Sequence, residues 1–181
     1  MEHERGYYIT DDERRTGICE KSIVESTVAL FNPKTVIDIG CGTGSYTREF
    51  IARGVDCIGF DGCPLTPEIS GGLCGILDFT YPVDIGKFDV AFSLEVGEHV
   101  PKQYEQIFID NLCNLTNRYI VLSWALEGTI WPGHVNCQNN DYVIGEFIKR
   151  GFIFDDESTK YIRDHVTGWG HFLSSVMVFV K

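Results

Sequence analysis

Positive charge is scarce in this sequence. Fifteen Lys and Arg stand against 26 Asp and Glu over 181 residues, a net charge of −11, and the longest basic run is the pair Arg14-Arg15. That balance suits a soluble chain and opposes non-specific binding to nucleic acid or to acidic membranes. No apolar run approaches the ~20 residues needed to span a bilayer, and no secretory h-region opens the chain. The cysteines Cys19, Cys41, Cys57, Cys63, Cys74, Cys113 and Cys137 are odd in number and form no C-x-x-C. They read as buried thiols of a reducing, cytoplasmic compartment. The sequon Asn114-Leu115-Thr116 is expected to go unused, and it falls inside a helical pattern. Internal repeats, low-complexity stretches and linkers are also lacking. With 44% hydrophobic and 23% charged residues, the expectation is one globular domain over 1–181.

What is present is an alternation of short apolar runs with helical patterns. Residues 1–16 are polar and read as a tail or a flap over a pocket. A leading helix follows over 17–32, with Ile18, Ile23, Val24, Val28 and Leu30 at helical spacing and Asn32-Pro33 ending it. Strands are expected at 35–39, 55–60, 72–77, 88–94, 119–124, 152–155 and 172–180. Helices are expected at 45–53, closed by Gly54, at 102–116, opened by Pro101, and at 139–150, closed by Gly151. The link from Cys63 to Gly72 looks too short and Pro-rich for a helix. Such alternation predicts an α/β fold, doubly wound, with a mostly parallel seven-stranded sheet and a C-terminal antiparallel strand pair.

Two stretches carry chemistry. The first, Thr35-Val-Ile-Asp-Ile-Gly-Cys-Gly-Thr-Gly44, sets glycine-rich backbone at the carboxyl end of the first strand, where a doubly wound sheet binds nucleotide-containing ligands. Asp61 ends the second strand, 21 residues after Gly40, placed to accept hydrogen bonds from ribose hydroxyls. The spacing is G-x-G-x-G, with Ser45 where a dinucleotide fingerprint has glycine, and no G-K-[ST] follows, which excludes a P-loop. VIDIGCGTG followed by an acidic second-strand end resembles motifs I and II of the class I S-adenosylmethionine-dependent methyltransferases, of Rossmann-like fold. The similarity runs from about Thr35 to Lys181. The resemblance implies that Gly40, Gly42 and Gly44, with Cys41, wrap the methionine part of the cofactor and that Asp38 orients the loop. It also implies that Asp61 and Gly62 hold the ribose, that Asp78-Phe79 lie beside the adenine, and that Ser93 contacts the cofactor as well.

The second stretch, Phe88-Asp-Val-Ala-Phe-Ser-Leu-Glu-Val-Gly-Glu-His-Val-Pro101, places Glu95, Glu98 and His99 at the expected mouth of the site. One helical turn would bring the three onto a shared face. Converging carboxylates repel unless a proton or a cation joins them. E-x-x-E-H at this point resembles the metal-binding segment of small-RNA 2′-O-methyltransferases and of ubiquinone-pathway O-methyltransferases. In the RNA enzymes a distant histidine completes the site, and its counterpart here is His134, in the segment Gly133-His-Val-Asn136, which departs from their motif. The resemblance implies Glu95, Glu98, His99 and His134 as ligands of a divalent ion such as Mn²⁺, Mg²⁺ or Zn²⁺. The alternative is an ion-free site in which His99, Glu98 or His134 orients the acceptor or takes its proton. His3, His165 and His171 belong to no motif and read as surface or packing residues.

An alcohol is a poor nucleophile at neutral pH, and an adjacent divalent ion lowers its proton affinity. Motif IV reads Ser93-Leu-Glu-Val96, which speaks against an N-methyltransferase of the D/N-P-P-Y type. Trp131, Asn136 and Tyr142 are the candidate acceptor contacts, since aromatic faces beside convergent polar groups hold sugars; Trp124 reads as core. The expectation is therefore an O-methyltransferase of a sugar or glycan hydroxyl, as one domain of a larger glycan-assembly enzyme or on its own. Alternatives are an RNA 3′-terminal 2′-O-methyltransferase, against which the charge speaks, a phenol- or catechol-type O-methyltransferase, and an inactive cofactor-binding partner subunit.

Overall fold

A computed structural model describes residues 3–7 and 19–181. Seven strands form one sheet in the order β3-β2-β1-β4-β5-β7-β6. They are β1 Thr35–Ile39, β2 Asp56–Asp61, β3 Gly75–Ile76, β4 Phe88–Ser93, β5 Thr116–Ser123, β6 Ile153–Phe154 and β7 Val176–Val180. β1 to β5 pair in parallel, while β7 runs antiparallel to both β5 and β6. This is the expected doubly wound sheet with its antiparallel end, the class I methyltransferase fold.

Successive residues of a strand point to opposite faces, and the central strands are apolar on both. Ile37, Ile39, Ala91, Ile120, Leu122, Met177 and Phe179 face one layer, built on α4 Glu105–Asn114 and α5 Asn140–Ile148. Val36, Val90, Phe92, Val121, Val176 and Val178 face the other, built on α1 Lys21–Phe31, α2 Ser45–Ala52, α6 Asp156–Asp164 and α7 Phe172–Ser175. A sheet covered on both faces explains why its strands read as continuous hydrophobic runs.

Several boundaries differ from the sequence expectations. α1 begins at Lys21, and residues 8–18 lie outside the described part. Asn32 ends this helix in a left-handed conformation, its N–H bonded to Val28 O at 2.9 Å. The 63–72 link does wind one short helix, α3 Thr66–Ile69, with Pro67 in its first turn, where proline is tolerated. The third strand shrinks from 72–77 to two residues. The helix expected at 102–116 divides into a 3-10 turn, Lys102–Tyr104, and α4. Thr116 already belongs to β5, where its Oγ1 donates to Phe88 O and Asp89 O, both at 3.1 Å. The Asn114 sequon therefore spans a helix end and a strand start. α6 escaped the sequence reading because it is short and polar overall, burying only Thr159 and Ile162. It is nevertheless capped, Asp155 accepting from Ser158 N–H at 2.9 Å, with acids in its first turn and Arg163 in its last. Residues 172–175, expected as strand, wind into α7 before β7 begins.

All seven cysteines are free thiols, five of them buried. Among the described residues no helix is long and apolar enough to cross a membrane.

The antiparallel end of the sheet is sealed by aromatics. Phe147 of α5 stacks on Phe179 at 4.5 Å and meets Phe152 edge-on at 6.5 Å. Phe147→Ala should destabilise the fold by about 3–5 kcal/mol, measured as a shift of the urea unfolding midpoint at unchanged m-value.

Candidate functional site

The loop after β1 is shaped by three glycines in the left-handed region, with φ of 74° at Gly40, 53° at Gly42 and 74° at Gly44. Gly40 is also sterically required, since a Cβ there would lie 2.4 Å from Val96. At Gly42 a Cβ would meet nothing within 4 Å, so that backbone borders open space. Asp61 braces the loop from β2, accepting Gly42 N–H at 3.0 Å and Cys63 N–H at 2.8 Å. Asp38 is buried beneath the loop and accepts Thr47 Oγ1–H at 2.6 Å; burial pushes its carboxyl up to about 7.

Two cavities open on this loop. The smaller, about 200 Å³, is bordered by Asp61, Gly62, Asp78 and Phe79. The larger, about 560 Å³, runs from Asp38, Cys41 and Tyr46 outward to Trp131 and Trp169. Gly40, Gly42, Glu95 and His99 border both, so a molecule lying across the two has its middle beside Glu95 and His99. Residues 3–7 lie over the smaller cavity. Tyr7 packs on Gly62, where a Cβ would come within 2.5 Å of its ring. The Arg5 guanidinium lies 4.2 Å from the Tyr81 ring and 4.8 Å from the Tyr104 ring and donates to Thr80 Oγ1 at 2.9 Å. Of the tail or flap expected at 1–16, residues 3–7 are described, with Arg5, Gly6 and Tyr7 bordering the smaller cavity; the rest lies outside the described residues.

Two residues expected at the cofactor, Gly44 of the loop and Ser93 at the end of β4, face elsewhere. Gly44 backs onto Cys74, whose Sγ would lie 2.7 Å from a Cβ, and Ser93 is buried with Oγ–H donating to Ile39 O at 3.0 Å. Neither borders these two cavities. Here the first packs beneath the loop and the second ties β4 to β1.

After β4 the chain makes a tight turn, His99 N–H reaching Val96 O at 3.0 Å and Val100 N–H reaching Gly97 O at 3.2 Å. Gly97 lies flat on the buried Trp124 ring, where a Cβ would fall within 2.3 Å. The turn brings Glu98 and His99 beside His134, one ligand atom of each lying within 4.8 Å of the others. The two imidazoles meet edge-on at 4.9 Å, and Glu98 Oε1 is 4.0 Å from His134 Nε2. Glu98 is fully buried, and neither carboxylate oxygen has a hydrogen-bond partner among the described residues. Burial, and then the neighbouring Glu95, raise its pKa well above the carboxylate range. Its backbone carbonyl holds the opposing loop, accepting Val135 and Asn136 N–H at 2.9 Å each. Cys137 Sγ lies 3.6 Å from His134 Nδ1, on the side of the ring away from Glu98.

Glu95 departs from the shared face expected for one helical turn. It adopts a left-handed φ of 56°, unusual for a residue with a side chain. Ser123 holds it twice, accepting Glu95 N–H at 2.8 Å and donating to Oε1 at 2.7 Å. Oε2 is left 3.7 Å from His171 Nε2. Two expected acceptor contacts are also relocated. Asn136 is buried, its side-chain Nδ2–H donating to Glu105 Oε2 at 2.9 Å while its backbone carbonyl accepts Trp124 Nε1–H at 2.7 Å. The Tyr142 hydroxyl donates to Glu105 Oε1 at 2.5 Å and accepts from Lys102 Nζ at 2.7 Å. Both brace the 131–138 loop around buried Glu105 and border neither cavity. Trp131 does face the larger cavity, and so do Trp169, which the sequence reading passed over, and His171, which it took for a surface or packing residue. The run Thr167-Gly-Trp-Gly-His171 was the available signal.

Residues 12–127 match the family described as a methyltransferase domain. The chain belongs to that family, and its fold and cofactor loop place it in the class I S-adenosylmethionine-dependent methyltransferases. It is 28% identical over 108 residues to a chloroplastic tocopherol O-methyltransferase of Arabidopsis thaliana, covering 51% of this chain and 30% of that protein. It is 30% identical over 135 residues to a probable tocopherol O-methyltransferase of Oryza sativa subsp. japonica, covering 63% and 37%. The chain thus spans about a third of the length of these curated relatives. Among solved structures, a SAM-bound amino pentose methyltransferase from Micromonospora echinaspora superposes with a TM-score of 0.68 at 13% identity, over 98% of this chain and 99% of that one. A SAM-bound magnesium protoporphyrin IX methyltransferase from Synechocystis PCC 6803 gives 0.66 at 18% identity, over 89% and 79%.

Two measurements probe this geometry. Asp38 is held protonated up to about 7 in the folded chain, whereas its unfolded carboxyl ionises near ~3.9. The folded state therefore binds the extra proton, and stability falls as pH rises between those values, by up to ~1.4 kcal/mol per pH unit. Asp38→Asn should remove that slope from the difference between the two melting profiles over pH 4–7. Gly97→Ala should cost about 1–3 kcal/mol by overpacking, read as a lowered melting temperature.

Proposed function

We propose that this chain is an O-methyltransferase acting on a sugar or glycan hydroxyl, assisted by a divalent ion. The observation that carries the reading is Glu98, a fully buried carboxyl group with neither oxygen hydrogen-bonded among the described residues, facing two imidazoles. A buried ionised carboxylate is costly unless a cation joins it, and one carboxylate with two histidines suits Mn²⁺ or Zn²⁺ better than an all-oxygen ion. Glu98, His99 and His134 would hold the ion, with Glu95 on the neighbouring side. When bound, it would grip adjacent hydroxyls and lower the proton affinity of one of them.

The chain's own groups supply the rest. Gly40, Cys41 and Gly42, with Asp38 beneath them, would hold the methionine part of S-adenosylmethionine and Asp61, Asp78 and Phe79 its adenosine, and the cofactor would supply an electrophilic methyl group; Glu95 and His99 border both cavities. Proximity then does much of the work, because the sulfonium is already electrophilic and the acceptor oxygen needs alignment. Without an ion, His99 is the group placed to take the hydroxyl proton. The net charge of −11 favours a neutral acceptor over RNA, and the amino pentose specificity of one structural neighbour agrees with a sugar ring. A phenol-type acceptor is the second reading, supported by the tocopherol O-methyltransferases among the relatives. Residence in the cytoplasm and a place within a larger glycan-assembly enzyme belong to the first reading.

The test is S-adenosylhomocysteine formation with monosaccharides, nucleotide sugars, phenols and short RNAs, each with and without EDTA. Turnover of a vicinal-diol sugar that EDTA abolishes and Mn²⁺ restores is the expected result; EDTA-resistant turnover removes the ion, and turnover of RNA alone removes the sugar. In parallel, Mn²⁺ should bind one site per chain by loss of its free-ion paramagnetic resonance signal. Glu98→Gln and His134→Ala should each weaken that binding at least ~10-fold.

A further inference from the structure

Part of the wall of the larger cavity, Trp169, His171 and Phe172, comes from the stretch 167–172 that leads from α6 into α7 and that no motif covers. Trp169 stands there 45% exposed, and across the mouth Trp131 is 67% exposed. His171 and Phe172 border the same cavity. Large aromatics left in solvent at the mouth of a cavity point to something that covers them.

The segment is fixed from below by a residue far away in sequence. Glu20 is buried, at 3% exposure. Its Oε2 accepts the backbone N–H of Gly168 at 2.8 Å and of Trp169 at 2.9 Å. Its Oε1 accepts Ser22 Oγ–H at 2.5 Å and Thr167 Oγ1–H at 3.2 Å. Gly168 fits this seat because it lacks a side chain; a Cβ would sit 2.6 Å from Glu20 Oε2. Burial alone would raise the carboxyl's pKa, but these four bonds outweigh it and hold it at about 2. The Glu20 backbone N–H meanwhile donates to Tyr46 Oη at 3.2 Å, and Tyr46 borders the other end of the same cavity. A saturated buried carboxylate thus anchors the backbone that carries Trp169.

We infer that residues 167–172 form the acceptor-recognition wall, on which Trp169 takes the apolar CH face of the acceptor's ring opposite Trp131, and that Glu20 is the positioning residue of this wall. The ring identity rests on the sugar reading above; the wall itself does not. With the ring held this way, its hydroxyls can turn toward Glu98, His99 and His134, while His171, oriented by Glu95, offers a nitrogen to a further hydroxyl.

The experiment uses the whole chain with methyl glycosides bearing vicinal diols and with simple phenols, measuring acceptor KM and kcat separately. S-adenosylhomocysteine affinity is measured alongside by calorimetry. Trp169→Ala should raise acceptor KM roughly 5- to 30-fold, with Trp169→Phe restoring most of it and cofactor affinity unchanged within twofold. Glu20→Gln should raise KM in the same sense, again without loss of cofactor affinity, which a general loss of folding would not spare. A phenol turned over with a Trp169-dependent KM keeps the wall and removes the sugar. A sugar turned over with KM indifferent to Trp169 keeps the proposed function and overturns the wall. If neither class is turned over, or quenches tryptophan fluorescence of the S-adenosylhomocysteine complex, both fall.

Discussion

The candidate site depends on how the chain buries Glu98. The turn that carries it can form only because Gly97 lies against the Trp124 ring, and the loop that opposes it is hung from its own backbone carbonyl. The residue therefore acts twice. Its main chain docks the segment that brings His134 into place, while its side chain enters a space where neither oxygen accepts a hydrogen bond from the described residues. A carboxylate in that setting either keeps a proton, as its raised pKa says of the free chain, or shares a cation with the imidazoles beside it. Buried Glu105 supports the same loop from behind by the opposite device, with Lys102, Tyr142 and Asn136 all bonded to its oxygens. Of two buried acids a few residues apart, one is saturated and one is left open.

What was legible in the sequence follows the same division. The Gly40–Gly44 loop, Asp38, Asp61 and the order of strands could be read because each rests on local rules, namely apolar runs bounded by turns and glycines where φ turns positive. The cluster of Glu98 and His99 with His134 was also legible, though its members come from two loops, because E-x-x-E-H is a compact pattern. Glu95 was misplaced because helical spacing was extended one residue too far back. Its left-handed backbone is imposed by Ser123, on a neighbouring strand, and no spacing rule contains that contact. Asn136 and Tyr142 were taken for acceptor contacts because polar and aromatic groups near a functional histidine look alike in sequence, whether they face the cavity or brace the loop from behind. The missed α6 has another origin, since a short and mostly polar helix that buries only Thr159 and Ile162 offers too few apolar residues to stand out from a loop.

Glu20 illustrates the remaining limit most sharply. In sequence it is one acid among many before an amphipathic helix, 148 residues from the Gly168 N–H that it accepts. Only the closure of the fold, with α1 packed beside α6, gives it a role. Its strength as an anchor comes from being nearly sealed from water while every nearby donor is aimed at it, a condition under which charge-assisted hydrogen bonds are at their strongest. Its carboxylate holds the segment bearing Trp169, and its backbone reaches Tyr46 at the inner end of the cavity. The two ends of the larger cavity are thereby fixed to a common point. The same economy of contact recurs at the smaller cavity, where Arg5 and Tyr7 are held by Tyr81, Tyr104, Thr80 and Gly62. In both places, chain from outside the central sheet is pinned over a cavity by a few well-formed polar or aromatic contacts. Such attachments fix geometry while leaving the strand ends beneath free to face a ligand, which is what precise alignment of a methyl donor and an acceptor oxygen requires.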